Sequence, residues 1–157
     1  MEKGWINGEL FLPCPEGFEV MDQAELSRVY TCDNPNRWGA WDRARHVMIT
    51  VLWQRYNPLL AWLADRGAMV RRNERMARRG YRQNDYSLIG FFSRQVCGLP
   101  AEGYRFTYRI QGVPQGAQTV LVKKGRTVYS VSCIGAAEAL EENRVLFEAI
   151  LDSAQAR

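Results

Sequence analysis

The sequence has one histidine (His46), three lysines and no C-x-x-C pair. Each shortage removes a kind of chemistry. A Cys-His or Ser-His nucleophile would have to be built on His46. Structural zinc sites need clustered ligands, and Cys14, Cys32, Cys97 and Cys133 are widely scattered. Neither G-x-x-x-x-G-K-S/T nor G-x-G-x-x-G occurs, so those two phosphate cradles are excluded. The longest uncharged apolar run covers residues 46–54, against the roughly 20 residues a spanning helix needs. No charged stretch followed by an apolar one opens the chain, so no secretory leader is read there. A cytoplasmic chain with reduced, mostly buried thiols is the expectation, with Cys14, between two prolines, the thiol most open to solvent. No metal and no cofactor is expected.

What is present is an ordinary globular composition. Hydrophobic residues make up 46% of the 157 and charged residues 24%, which excludes disordered and collagen-like chains. No repeat, linker or low-complexity segment interrupts the chain, and one domain over residues 1–157 is expected. The net charge of +4 is concentrated. Between Asp65 and Arg82 seven arginines (Arg66, Arg71, Arg72, Arg75, Arg78, Arg79, Arg82) face two acids, so the rest of the chain is nearly neutral. That charge is guanidinium, whose planar fork suits carboxylate or phosphate.

Local patterns give an element order. Residues 9–12 read as a short strand stopped by Pro13, and Asp22 with Glu25 has capping-box spacing for a short helix. Residues 28–32 read as a strand. Residues 33–42 read as a loop carrying Trp38 and Trp41. Residues 43–53 alternate with apolar side chains on both faces, with His46 inside that strand. Asn57-Pro58 is a helix start, buried through Leu59, Leu60, Trp62 and Leu63. A second helix over 68–79 has Met69, Val70, Met76 and Ala77 as its seam. Arg71, Arg75, Arg78 and Arg82 share its outward face.

Residues 86–96 read as a strand apolar on both faces, and residues 104–110 alternate Tyr104, Phe106, Tyr108 and Ile110 against Arg105, Thr107 and Arg109. Residues 119–123 and 126–133 form a hairpin, after turn chemistry over 111–116. Residues 136–154 form an amphipathic helix buried through Leu140, Phe147, Ile150 and Leu151. Short connections between strands, with helices grouped apart, define an α+β fold with an antiparallel sheet of about six strands and helices on both faces.

Two ends of the chain carry a resemblance. Leu12-Pro13-Cys14-Pro15-Glu16-Gly17-Phe18 resembles the LP-x-GF opening of PsbP-like domains. Val128-Tyr129-Ser130-Val131, followed by a helix closing in Phe147-Glu148-Ala149-Ile150-Leu151-Asp152-Ser153, is similar to their ending. That superfamily includes the PsbP accessory proteins of photosystem II, a Ran-binding nuclear import factor and bacterial chaperones of secreted effectors. The resemblance implies an α/β/α sandwich and a non-catalytic, partner-binding habit. It carries over no functional residue.

Two candidate surfaces follow from the residues themselves. The arginine helix, with Arg71, Arg72, Arg75, Arg78, Arg79 and Arg82, fits a protein with an acidic surface or, alternatively, nucleic acid. Charge runs of this kind more often form a solvated face, here with heads paired to the glutamates of the last helix. Aromatic residues for base stacking are not interleaved in it. The loop with Arg37, Trp38 and Trp41 holds residue types enriched in interface hot spots, or else folds back onto the core. A third possibility is a small-molecule or lipid site between the sheet and the Trp62 helix. His46 reads as a packed strand histidine, and Glu141-Glu142 as a solvated helix face. The expectation is a non-enzymatic adaptor or chaperone-like module. Reversing Arg71, Arg75 and Arg78 to Glu should end partner capture at an unchanged thermal midpoint.

Overall fold

Two-residue turns build most of the sheet. Strand β6 (Ser87–Val96) folds back into β7 (Leu99–Ile110) through Cys97 and Gly98, and β7 into β8 (Val113–Lys124) through Gln111 and Gly112. All four turn residues have φ between 50° and 78°, the left-handed pair that matches the twist of flanking strands. β8 returns as β9 (Thr127–Ala136) around Gly125-Arg126. The computed structural model describes residues 4–30, 34–59 and 65–157.

Preceding these hairpins are β1 (Trp5–Ile6), β2 (Leu10–Phe11), β3 (Glu19–Val20), β4 (Arg37–Asp42) and β5 (Val47–Arg55); β10 (Gln155–Ala156) closes the chain. The helices are α1 (Gln23–Val29), α2 (Arg66–Gly80) and α3 (Leu140–Asp152), the last entered through a 3-10 turn, Ala137–Ala139. The main sheet is antiparallel with seven strands in the order β3-β4-β5-β9-β8-β7-β6. A small sheet, β1-β2-β10, ties the end of the described chain to its start, with Gln155 opposite Phe11 and Ala156 opposite Leu10.

Each face of the main sheet has its own core. One face carries Val47, Ile49, Val51, Val120, Val122, Tyr129, Val131 and Cys133, covered by Phe147, Ile150 and Leu151 of α3 and by Ile6, Leu10 and Leu12 of the small sheet. The opposite face carries Tyr104, Phe106, Tyr108, Ala117, Leu121 and Val128 beneath α2. α1 packs on that same side further along, with Leu26 and Met21 against Gly39 of β4. The fold is α+β with helices on both faces of an antiparallel sheet, in seven strands rather than six.

Several local expectations are corrected. Residues 37–42 are a strand, not a loop: six residues pair with β5, and the turn chemistry is confined to the lead-in. There Asn34 Oδ1 accepts the Asn36 amide at 3.0 Å, and Asn34 Nδ2 donates to the Trp53 carbonyl at 3.3 Å. His46 is not in a strand. Residues 43–46 form the β4–β5 turn, where His46 has φ 54° and is exposed. Asp42, 4% exposed, organises this turn by accepting the Arg45 amide at 3.2 Å and pairing with Arg45 Nε at 3.0 Å. Arg28 and Val29 belong to the last turn of α1, not a strand. Its capping box is formed as the spacing requires, with Asp22 Oδ1 accepting from the Glu25 amide at 2.8 Å and Glu25 Oε1 from the Asp22 amide at 3.1 Å. Cys32, Leu60, Trp62 and Leu63 lie outside the described residues; Pro58 and Leu59 are helical.

Candidate interaction surface

Asp65 starts α2 by accepting the Gly67 amide at 3.1 Å. Its inward stripe is Val70, Asn73, Glu74 and Ala77, the i, i+3, i+4, i+7 pattern of a helix lying on a sheet. That stripe rotates Met76 into solvent, 61% exposed, so Met76 is not part of the seam. Tyr104 donates to Asn73 Oδ1 at 2.6 Å, and Tyr81, just past the helix, stacks on Tyr108 at 4.3 Å between ring centres. Tyr86 stacks on Phe106 at 5.1 Å. This aromatic layer is dry enough to raise the phenol pKa values of Tyr104 and Tyr108 through loss of hydration. Burial, with the Glu74 charge adding to it, pushes Tyr86 up to about 12.

Glu74 is 2% exposed and is held by Arg78, whose Nε donates to Glu74 Oε1 at 3.1 Å and whose NH2 contacts the same oxygen. Arg78 also lies 5.8 Å from the centre of the Tyr86 ring. Arg78 is therefore structural as well as exposed. Reversing it to Glu would set a second carboxylate beside a buried one, so an unchanged midpoint is not expected of that substitution.

Arg71, Arg72, Arg75, Arg79 and Arg82 are exposed and, among the described residues, make no ion pair or hydrogen bond. The glutamates of α3 do not reach them. α3 covers the opposite face, where Arg144 joins Glu141 and Glu148 (2.8 Å to the latter) and Arg94 meets Asp152 at 2.6 Å. Beyond the C-terminal end of α2 an open cleft of about 360 Å³ is lined by Arg79, Gly80, Arg82, Gln83 and Asn84. A crevice of about 10 Å³ lies at the flank of the helix beside Met69, Leu121 and Val128.

The tryptophans sit elsewhere. Trp38 pairs with Val51 and packs on the α3-side core. Trp41 points to the other side, with the Arg43 guanidinium carbon 4.4 Å from its ring centre. Arg37 donates from NH2 to Ser27 Oγ at 2.9 Å, while its Nε is buried without a hydrogen-bond partner. β4 and β7 are separated by β5, β9 and β8, roughly 19 Å at ordinary strand spacing. The structure thus does not bring Arg37, Trp38 and Trp41 together with the α2 arginines. Cys14 is half-buried against the core, not open, and burial lifts its thiol to about 11.

What sequence reasoning missed is the edge beside α2. β6 is the terminal strand of the sheet, with Ile89 and Phe91 exposed at 54% and 48%. Its apolar content reads as a buried strand. The bulge near Leu88 and Gly90 and the absence of a second neighbour have no local signal.

Among the described residues no cluster of His, Cys, Asp and Glu could hold a metal ion, and no helix is long and apolar enough to cross a membrane. An antiparallel sheet between helical layers, with a terminal helix on one face and a basic helix on the other, defines an α/β/α sandwich. No known family matches the sequence, and no curated protein is similar to it. Solved structures place the sandwich: cyanobacterial PsbP (CyanoP) from Synechocystis sp. PCC 6803 superposes with a TM-score of 0.70 at 12% identity, over 94% of this chain and 86% of that one. LpqN, involved in cell envelope biogenesis of Mycobacterium tuberculosis, gives 0.55 at 14% identity, over 94% and 82%. A Pseudomonas aeruginosa protein of unknown function, PA94, gives 0.54 at 10% identity, over 87% and 80%. The chain has the PsbP-like fold.

Proposed function

We propose that this chain is a single-domain, non-catalytic binding module, an adaptor or chaperone-like protein, that docks a protein with an acidic surface through α2. One observation carries the reading. Five exposed guanidinium groups, unpaired among the described residues, stand on or just beyond a helix whose other face is locked to the sheet through Asn73, Tyr104 and the Glu74–Arg78 pair. The helix is fixed in place, and each planar guanidinium offers a carboxylate a forked contact. The PsbP-like fold supports a partner-binding role by analogy. Cys14, Cys97 and Cys133 are free thiols, which favours a reducing, cytoplasmic setting.

Single-stranded nucleic acid is disfavoured, because Tyr81 is turned inward onto Tyr108 and offers no face for a base, and duplex DNA stays the alternative partner. The alternative of a small ligand between the sheet and the Trp62 helix falls on residues 60–64, outside the described residues. The test is fluorescence anisotropy of labelled polyglutamate and of a labelled 20-base-pair DNA duplex, each at about 50 and 200 mM salt. Polyglutamate should bind, and Arg71→Glu/Arg75→Glu/Arg82→Glu should weaken it about tenfold or more at an unchanged unfolding midpoint. Tighter DNA binding, with a salt slope near about −3.6 for four phosphate contacts, would transfer the helix to nucleic acid. Binding of neither probe removes α2 from the argument.

A further inference from the structure

Among the described residues strand β6 has one neighbour, β7, and so presents an outward row of backbone N–H and C=O groups. Sheet edges are usually blunted by charge, proline, brevity or a bulge. The opposite edge, β3, is two residues long and begins with Glu19. β6 is ten residues long, and residues 87–93 contain neither a charged residue nor a proline. The first charge is Arg94, whose Nε donates to the Gln95 carbonyl at 3.0 Å and whose NH2 reaches Asp152 at 2.6 Å, closing that end of the edge. Seven residues are open: residues 87–89 carry the bulge between Leu88 and Gly90, and residues 90–93 form about 13 Å of regular strand.

The arginines of α2 overlook this edge. Glu74 and Arg78 lie on the flank beside Tyr86, which leads directly into β6. Met69 lies on the other flank, against Leu121 and Val128 of β8 and β9. At about 100° per residue, Arg71 and Arg75 fall on the same flank as Arg78, while Arg82 lies past the helix end at Gly80. α2 also runs in the direction of β7: Met69 is beside Glu102, Asn73 beside Tyr104 and Tyr81 beside Tyr108. From Arg71 to Arg78 the helix rises about 10 Å, close to the ~13 Å covered by three same-face residues of a neighbouring strand. Phe91, 48% exposed with its ring 6.2 Å from that of Tyr104, is an apolar ledge on this side.

We propose that the outer edge of β6 receives an extended acidic segment of the partner protein as an eighth strand, its alternate carboxylates lying under Arg71, Arg75 and Arg78. Main-chain hydrogen bonds to residues 87–93 supply affinity, and the arginine flank selects a segment with acid at every second position. This rests on the reading of α2 as the acid-docking helix, and names the conformation that the acid must have.

The probe is a fluorescein-labelled octapeptide of alternating Glu and Val, compared with two derivatives N-methylated at every Val or at every Glu. Both keep all the charge, but each loses the hydrogen-bond donors along one edge. The parent should bind and raise protection against hydrogen exchange in residues 87–93 by about tenfold or more. One N-methylated peptide should lose about tenfold or more in affinity and the other stay near the parent. Equal affinity of all three peptides, equal loss in both derivatives, or protection confined to α2 would overturn the eighth strand while leaving acidic docking intact. Failure of the parent to bind where polyglutamate does bind overturns it equally. Failure of both probes overturns the two readings together.

Discussion

Arg78 covers the carboxylate of Glu74 from one turn further along α2, so that a side chain 3% exposed is paired with one 57% exposed. The pair is half in water and half in the core, and its members have unequal roles. Loss of Arg78 leaves Glu74 buried against Tyr86 and Tyr104 with no ion-pair partner among the described residues. Arg78→Met should therefore cost about 1–3 kcal/mol, less than the figure for a fully buried pair because Arg78 itself stays hydrated. Adding Glu74→Leu to that variant should recover much of the loss. Urea unfolding of the single and double variants measures both, and a cost for Arg78→Met within about 0.5 kcal/mol, the level of an ordinary surface substitution, would refute the pairing.

Two glycines on neighbouring strands should respond in opposite ways to the same methyl group. A Cβ at Gly103 would lie 2.5 Å from Phe92 Cζ and 2.6 Å from the Thr119 carbonyl oxygen, a backbone atom that cannot swing aside. The Phe92 ring is itself held, with the Arg105 guanidinium carbon 4.1 Å from its centre. Gly103→Ala should cost about 3 kcal/mol through overpacking. Gly90, with nothing within 4 Å of its virtual Cβ, should accept alanine within about 0.5 kcal/mol. Thermal unfolding of the two variants side by side distinguishes them.

Alkaline pH should destabilise the fold through Cys133. Burial moves this thiol from the ordinary 9.0 up to about 12, with Cys14 adding a smaller push. The folded state keeps the proton after the unfolded chain has released it. The stability due to this group is thus complete below about pH 9 and declines as pH rises toward 12, by about 1.4 kcal/mol per unit. Urea midpoints between pH 8 and 11.5 should fall, and should fall less steeply in Cys133→Ala. Equal slopes in the two proteins would assign the alkaline loss to other groups.

The parts of the fold that announce themselves are those where one short-range rule suffices. Asp22 and Glu25 are three residues apart and form the box that their spacing requires. Tyr104, Phe106 and Tyr108 alternate with polar residues and are the buried face of β7. Legibility fails where a tertiary partner decides. Asn34, Pro35 and Asn36 look like a loop that should engulf Trp38 and Trp41, yet pairing with β5 extends both tryptophans onto opposite faces of a strand. Glu74 is charged and is buried, while Met76 is apolar and exposed, because the helix is rotated by what β7 offers it, the Tyr104 hydroxyl for Asn73 and an aromatic floor for Val70 and Ala77. The arginines of the candidate surface were readable as a face. That their helix lies on β7, next to the last strand of the sheet, depends on the order of the strands, and no local pattern records that.

The pairing of β10 with β2 has a practical side. Leu10 and Ala156 are neighbours in a small sheet seated on the α3-side core, away from α2. A tether, dye or fusion partner joined just after residue 157 would leave the molecule from its far side. Immobilised that way, the protein would turn its basic helix toward the bulk solution, an orientation suited to surface-based binding measurements.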